Sequence, residues 1–306
     1  MNAYVVIATK GRAPVVSELL TQLLTQTRRA PGVHVVGASH EDVEGLSDHP
    51  LGEACELLCT TTRRPGLCVQ RNEGVRSVQA SRARRGDAAP YFIAFMDDDF
   101  RPDRRWLEAC CDVFRARPDV VGLTGRILAD GVKGPGLSEA DAAAYLSGQR
   151  PPEQHWASGS SVRDIGSAYG CNMAFRDVAM ERCTFDENLP LYGWQEDQDF
   201  SSQAMALGRV IYTPDCKGVH LGVKSGRVSG KRFGYSQIAN PLYLARKGTM
   251  ARAKGARFIS RHLVANSVRS IASDPRFDYR GRLLGNLLAI RDITLGRCHP
   301  TRIADL

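Results

Sequence analysis

A six-residue apolar run, Tyr91-Phe92-Ile93-Ala94-Phe95-Met96, ends directly on three aspartates, Asp97-Asp98-Asp99. A short continuous apolar run suits a strand covered on both faces, the usual state of a parallel strand in an α/β sheet. Adjacent carboxylates repel one another, so they call for cations or strong hydrogen-bond donors close by. Ligands of open α/β sheets bind outside the carboxyl ends of the strands. Oxygen ligands clustered at such an end suit Mg2+ or Mn2+ bridging a substrate diphosphate. The bland alternative is a turn whose exposed aspartates cap the following helix.

The flanking sequence extends the pattern. Tyr4 to Ala8 and Val33 to Val36 read as further buried strands, and Val15 to Thr27 carries apolar residues at helical spacing. Arg71 to Gln79 and Trp106 to Arg115 read as helices, and Val120 to Thr124 as another strand. This alternation predicts an α/β fold, a mostly parallel sheet flanked by helices. Gly131 to Gly166 reads as loops around a short helix at Ser138 to Leu146, with order resuming at Tyr169 to Phe175. Asp197 to Leu207 is expected to be a helix capped by Gly208, and Arg209 to Thr213 a short strand. Gly222 to Gly234 reads as a mobile loop, and the chain from Tyr235 onward as largely helical. One catalytic domain over residues 1–247 and a C-terminal helical extension over 248–306 is the expected division.

Composition narrows the partners. The 306 residues are 43% hydrophobic, enough for a sizeable core, and carry a net charge of +8. That charge suits nucleotide diphosphates, an anionic membrane surface or nucleic acid, without choosing among them. Nine cysteines are too sparse for a disulfide scaffold, and Cys55 and Cys59 lack a matching pair at zinc-like spacing, so reduced thiols are expected. The apolar stretch from Ala3 to Ala8 lacks the basic flank and length of a targeting segment. With no stretch near the ~20 apolar residues of a spanning helix, a cytoplasmic protein is expected.

Two further clusters bear on chemistry. Gly193-Trp194-Gln195-Glu196-Asp197-Gln198-Asp199 places acids at the start of a predicted helix. There they are either stabilised by the helix dipole or supply a general base that deprotonates a sugar hydroxyl, with Trp194 and Glu196 on the acceptor. His220 is followed by Lys224, Arg227, Lys231 and Arg232. These cations read either as a solvated basic loop or as an element closing over a departing nucleotide diphosphate.

Together the clusters resemble the inverting glycosyltransferase family 2, whose fold is GT-A, over about Tyr4 to Lys247. The run from Val5 to Arg12 is similar to the family's first strand and nucleotide-contacting turn, which implies Thr9 and Arg12 at the nucleotide-sugar. Gln70-Arg71-Asn72-Glu73-Gly74 is similar to its Arg-Asn-x-Gly segment and implies Arg71 near the donor. Asp97-Asp98-Asp99 matches its Asp-x-Asp motif, implying Asp97 and Asp98 at the nucleotide-sugar and Asp99 on the metal. Gly170 to Phe175 is similar to the strand lining the acceptor side, which implies Asn172 there. Glu196-Asp197 matches the Glu-Asp pair and implies Asp197 as the base. His220 falls where many GT-A enzymes place a further metal or phosphate contact. After the second strand, Gly37 to Asp42 lacks the family's aspartate directly behind the strand, leaving Ser39 and Asp42 as candidates for the nucleobase.

The resemblance thus implies a Rossmann-like GT-A sheet, with a nucleotide-sugar half over residues 1–125 and an acceptor half over 126–247. It implies Mn2+ or Mg2+ as cofactor, a nucleotide-diphosphate-sugar donor, and a glycan or lipid-linked glycan acceptor in cell-surface polysaccharide or glycolipid synthesis. A metal-dependent phosphotransferase is the enzymatic rival, although the first strand ends without the carboxylate such enzymes often place there. A basic nucleic-acid-binding module explains the charge but not the three carboxylates, so no nucleic-acid partner is expected. In the tail, Val264, Val268, Ile271, Leu284, Leu287 and Leu288 alternate with arginines. This pattern reads as helices packed on the catalytic domain, or as peripheral docking at the inner face of the plasma membrane.

Overall fold

The structure, a computed structural model, describes residues 1–225, 229–271 and 277–306. The chain opens with β1 (Asn2–Thr9), α1 (Ala13–Leu24), β2 (Gly32–Gly37), the single turn α2 (Leu51–Ala54) and β3 (Glu56–Thr61). The long helix α3 (Leu67–Arg85) leads to β4 (Tyr91–Asp97), followed by β5 (Phe100–Pro102), α4 (Trp106–Ala116) and β6 (Val120–Asp130). Next come α5 (Glu139–Leu146), β7 (Arg163–Asp164), β8 (Asn172–Arg176), α6 (Asp177–Arg182), α7 (Glu196–Ala204) and β9 (Arg209–His220). Three helices, α8 (Gly230–Lys247), α9 (Arg252–Arg269) and α10 (Tyr279–Thr294), complete the chain before a short terminal 3-10 segment. No helix among the described residues is long and apolar enough to cross a membrane.

The chain divides into two compact units, one of Met1–Pro65, Val69–Thr184 and Gln203–Gly226, the other of Gly66–Cys68, Phe185–Ser202 and Arg227–Leu306. The first unit holds the sheet, in the order β3-β2-β1-β4-β8-β6-β9-β5, with β7 paired to β9. The strands β1, β2, β3 and β4 run parallel, and β6 runs parallel to β9. Because β8 is antiparallel to both β4 and β6, its reversal restores the direction. The carboxyl ends of β1, β4, β6 and β9 therefore emerge on one edge. The core residues of β1, β2 and β4 pack against the apolar stripes of α1 and α4, including Leu19, Leu23, Trp106 and Phe114. Helix α3 lies directly on β1: a Cβ at Gly74 would fall 2.3 Å from Val6 Cγ1, so only glycine allows that approach. The structure therefore has a mixed sheet flanked by helices, as the alternating pattern predicts.

Four expectations are corrected. The edge strand β3 is absent from the sequence reading because Glu-Leu-Leu-Cys-Thr-Thr is only half-buried and forms no apolar run. Both β6 and β9 run well past Thr124 and Thr213. Register shifts carry the pair through Gly125 and past Pro214, residues that read as strand ends. Gly208 is not a helix cap, since α7 stops at Ala204. Its lack of a side chain serves close packing, because a Cβ there would lie 2.6 Å from Val121 Cγ1 and 2.7 Å from the carbonyl oxygen of Asp119. The stretch expected as a loop to Gly234 is helical from Gly230, where the Ser229 side chain caps α8. All nine cysteines are described, and none forms a disulfide.

In the second unit α8, α9 and α10 pack around Tyr235, Ile238, Ala239 and Ala289. Buried amides join them: Asn266 donates to Gln237 Oε1 and to Asn286 Oδ1, each at 2.8 Å. Asp292 accepts from Tyr235 Oη at 3.0 Å, Arg297 Nε at 2.9 Å and Arg302 Nε at 2.5 Å, which ties the terminal segment to α8 and α10.

Candidate active site

The carboxyl ends of β1, β4, β6 and β9 bring together Thr9, Asp97, Asp98, Asp99, Asp130 and His220. Register explains two of these meetings. Phe100 pairs with His220 across β5 and β9, which sets the preceding Asp99 beside the ring. Asp130 and His220 are themselves register partners across β6 and β9.

His220 Nε2 lies 3.1 Å from Asp99 Oδ1, and its Nδ1 lies 3.2 Å from Asp130 Oδ1. Burial alone would lower this imidazole, but the two carboxylates outweigh burial and raise it to about 10. Burial likewise pushes Asp99 up, and His220 and Arg12 reverse that, holding it at about 2. Asp98 goes the other way: burial raises it, and Arg12 offsets only part. Arg12 Nη1 donates to Asp98 Oδ1 at 2.8 Å, and Thr9 Oγ1 donates to Asp98 Oδ2 at 2.8 Å. Arg71 Nη2 bridges Asp97 Oδ1 at 3.0 Å and the carbonyl of Gly170 at 2.8 Å. The repulsion that three adjacent aspartates imply is thus met by Arg12, Arg71 and His220 together.

Asp97, Asp99 and His220 each offer a ligand atom, and these atoms lie within 4.8 Å of one another, a group that could hold a metal ion. Two carboxylates and one imidazole form a hard, mostly oxygen donor set of the kind that suits Mn2+ or Mg2+. A cation there would displace the proton that His220 otherwise carries.

The segment after β9 folds over these groups. Val223 N donates to Asp99 Oδ2 at 2.7 Å, and Arg12 reaches the carbonyls of Val223 at 3.0 Å and Ser225 at 2.9 Å. Lys224 Nζ donates to the carbonyls of Gly131 and Val132 at 2.7 and 2.9 Å. Asn172 lies fully buried, its Oδ1 accepting from Thr124 Oγ1 at 2.7 Å. Asp42 spends its carboxylate on the backbone N–H groups of Gly11, Ala38 and Ser39, which joins the loops after β1 and β2. Arg227 lies outside the described residues.

In the second unit, Glu196 and Asp197 begin α7, with Glu196 buried and Asp197 half-buried. Asp197 Oδ1 accepts from Gln198 N at 2.8 Å. The approach to this helix is unusual: Leu191 and Gln195, both non-glycine, adopt left-handed backbone at φ 58° and 74°. Such conformations cost of order 1–3 kcal/mol and concentrate where function demands them. The Trp194 ring sits among Phe233, Phe258 and His262, with centroid distances of 6.1, 6.1 and 5.1 Å. Arg232 donates to the carbonyl of Ala304 at 3.4 Å.

Four residues of the sheet unit escape the sequence reading. Asp130 receives, besides His220, the hydroxyl of Tyr169 at 2.8 Å and His155 Nε2 at 3.3 Å. Trp156, half exposed, packs with His155 and Tyr169 at 5.7 and 5.6 Å. Asp130 is detectable by the rule that picks out Asp97, a carboxylate at a strand's carboxyl end, once β6 is given its full length.

No family model matches the sequence. Over 228 residues the chain is 25% identical to a glucosyl-dolichyl phosphate glucuronosyltransferase of Haloferax volcanii. That match covers 72% of this chain and spans 65% of the relative's own length. Among solved structures, S. aureus TarS in complex with UDP is similar at 13% identity and a TM-score of 0.56, covering 97% of this chain and 92% of that one. The mannosyltransferase PcManGT from Pyrobaculum calidifontis, in complex with GDP-Man and Mn2+, is similar at 15% identity and a TM-score of 0.52, covering 96% and 86%. The chain has a glycosyltransferase family 2-like fold.

Proposed function

We propose that the chain is a metal-dependent glycosyltransferase that moves a sugar from a nucleotide-diphosphate-sugar to an acceptor hydroxyl with inversion. The observation that carries this reading is the gathering of Asp97, Asp99 and His220 at the carboxyl ends of β4 and β9 and in the turn after β4. The names of the similar proteins, which include a glucuronosyltransferase and a mannosyltransferase, support it. A bound Mn2+ or Mg2+ would act as a Lewis acid on the donor diphosphate. In this reading Thr9, Arg12, Arg71 and Asp98 orient the nucleotide-sugar. Lys224, Arg227 and Arg232 offset the charge of the leaving diphosphate. Asp197, assigned from its motif, takes the acceptor hydroxyl's proton as that oxygen attacks the anomeric carbon, while Asn172, Trp194 and Glu196 serve the acceptor. A glycan or lipid-linked glycan of a cell-surface pathway is the acceptor class the resemblance favours.

A thermal-shift series with UDP, GDP, dTDP and CDP, each with and without Mn2+, tests the reading. A ligand at ~100 times its Kd adds ~2.7 kcal/mol to stability. One nucleotide should stabilise the chain only with metal, and Asp99→Ala should remove the effect. Stabilisation by no nucleotide, or an equal shift in Asp99→Ala, would sink the assignment. Asp197→Asn should lose ~10²–10⁴-fold in turnover while keeping nucleotide affinity. An equal loss of nucleotide binding would contradict the role of Asp197.

A further inference from the structure

The outer faces of α9 and α10 carry a pattern that neither the core nor the proposed site uses. Along α9 and its end, Arg257, Arg261, Val264, Val268 and Ile271 follow i, i+4, i+7, i+11 and i+14, which places them on one stripe, and all five are exposed. Along α10 the stripe recurs: Arg280, Leu284, Leu287, Arg291 and the adjoining Leu295 follow i, i+4, i+7, i+11 and i+15, again all exposed. Val264, Val268 and Ile271 are 62%, 63% and 82% exposed, and Leu284 and Leu287 are 51% and 52%. Aliphatic side chains grouped this openly on two neighbouring helices are more than the scattered single cases of an ordinary surface.

Within the two helices the exposed charge is positive, and Asp278 at the N-cap of α10 is an exposed acid beside them. From Arg252 to Arg269 there is no acidic residue. In α10 the single acid, Asp292, is buried and bound by Arg297 and Arg302. Asn266 donates to Asn286 across the two helices and Arg269 Nη1 donates to Tyr279 Oη at 3.0 Å, so the striped helices are fixed side by side in one unit.

We propose that the two stripes share one face and that this face docks on an anionic lipid bilayer. The aliphatic groups enter the headgroup boundary, and the bordering guanidinium groups meet lipid phosphates. A second copy of the chain fits less well, because a two-fold interface would set two arginine-bordered stripes against each other. Nucleic acid also fits less well, because these exposed positions hold aliphatic groups where base stacking wants aromatics.

Co-sedimentation of the full chain with phosphatidylcholine vesicles, and with vesicles of phosphatidylcholine and phosphatidylglycerol in equal parts, tests the proposal. The chain should sediment with the anionic vesicles only, and leave them as the Debye length falls from ~30 Å to ~3 Å between ~0.01 M and ~1 M salt. Replacing both Arg257 and Arg261 by glutamine should lower partitioning about 25-fold, at about fivefold per basic residue. The pair Val268→Glu and Leu287→Glu, at exposed positions, should abolish binding with the circular dichroism spectrum unchanged. Absence of binding to anionic vesicles at low salt, or full binding by the glutamate pair, would overturn the proposal. A dimer in light scattering that the glutamate pair dissociates would give the face to a second copy. A duplex-DNA gel shift removed by the glutamine pair, without vesicle binding, would give it to nucleic acid.

Discussion

His220 illustrates how neighbours prepare one side chain for the metal that the proposed function calls for. With Nδ1 on Asp130 and Nε2 toward Asp99, its ring orientation is fixed within the fold. A carboxylate behind a metal-binding histidine typically contributes 10–100-fold in metal affinity. Asp130→Asn keeps the shape but removes the charge, so Mn2+ affinity measured by calorimetry should fall ~10–100-fold while the fold is retained. Unchanged affinity would remove Asp130 from the site. Asp130 answers to the same strand-end logic as Asp97, but its pairing with His220 is a matter of register between strands far apart in sequence.

At the scale of elements, the turn between β4 and β5 is held by a residue that no motif marks. Arg101 is fully buried, and its guanidinium donates to the carbonyls of Asp98, Phe100 and Val15 and, at 2.9 and 2.6 Å, to both oxygens of Glu139. It therefore ties the aspartate turn to α1 and α5. Arg101→Ala would leave those buried carbonyls without a donor and should cost ~3 kcal/mol in urea denaturation. A loss below ~0.5 kcal/mol, the range of ordinary surface substitutions, would show that the brace is dispensable. The sequence reading places α1, β4 and α5 correctly because each carries its own apolar period or cap. It does not reach Arg101, whose partners come from three separate segments.

For the whole molecule, buried His34 and half-buried His262 both resist protonation in mild acid. Burial, helped by Arg84 and Arg85, lowers His34 in β2 to about 4, and burial, helped by Arg261 and Arg282, lowers His262 in α9 to about 4. Both folded-state values lie below the ordinary 6.5, so the unfolded chain binds the protons first. The contribution of these two histidines should therefore be full above about pH 6.5 and fall as pH drops toward about 4, by up to ~1.4 kcal/mol per pH unit for each. Denaturation midpoints across that window would measure the slope. His34→Gln should flatten the slope, and a slope unchanged by it would show that His34 does not titrate there. Below this window Asp292 adds to the loss. Burial raises it, but Arg297, Arg302 and Tyr235 hold it at about 2, so its contribution is present above its ordinary value of 3.8 and disappears as pH falls through about 2.

The local chemistry of the chain was legible without a structure wherever the physics is local. Tyr91 to Met96 is a buried strand because nothing in it can face water, and Asp97 to Asp99 must meet cations because adjacent carboxylates repel. Arg12, Arg71 and His220 are those cations. The tertiary structure alone decided which cation meets which acid, since that follows from strand register, and from β6 and β9 continuing past Gly125 and Pro214, where local preference says stop. It also decided that Asp42, polar enough to suggest a ligand contact, is committed within the fold, because buried backbone N–H groups must find partners before any ligand does.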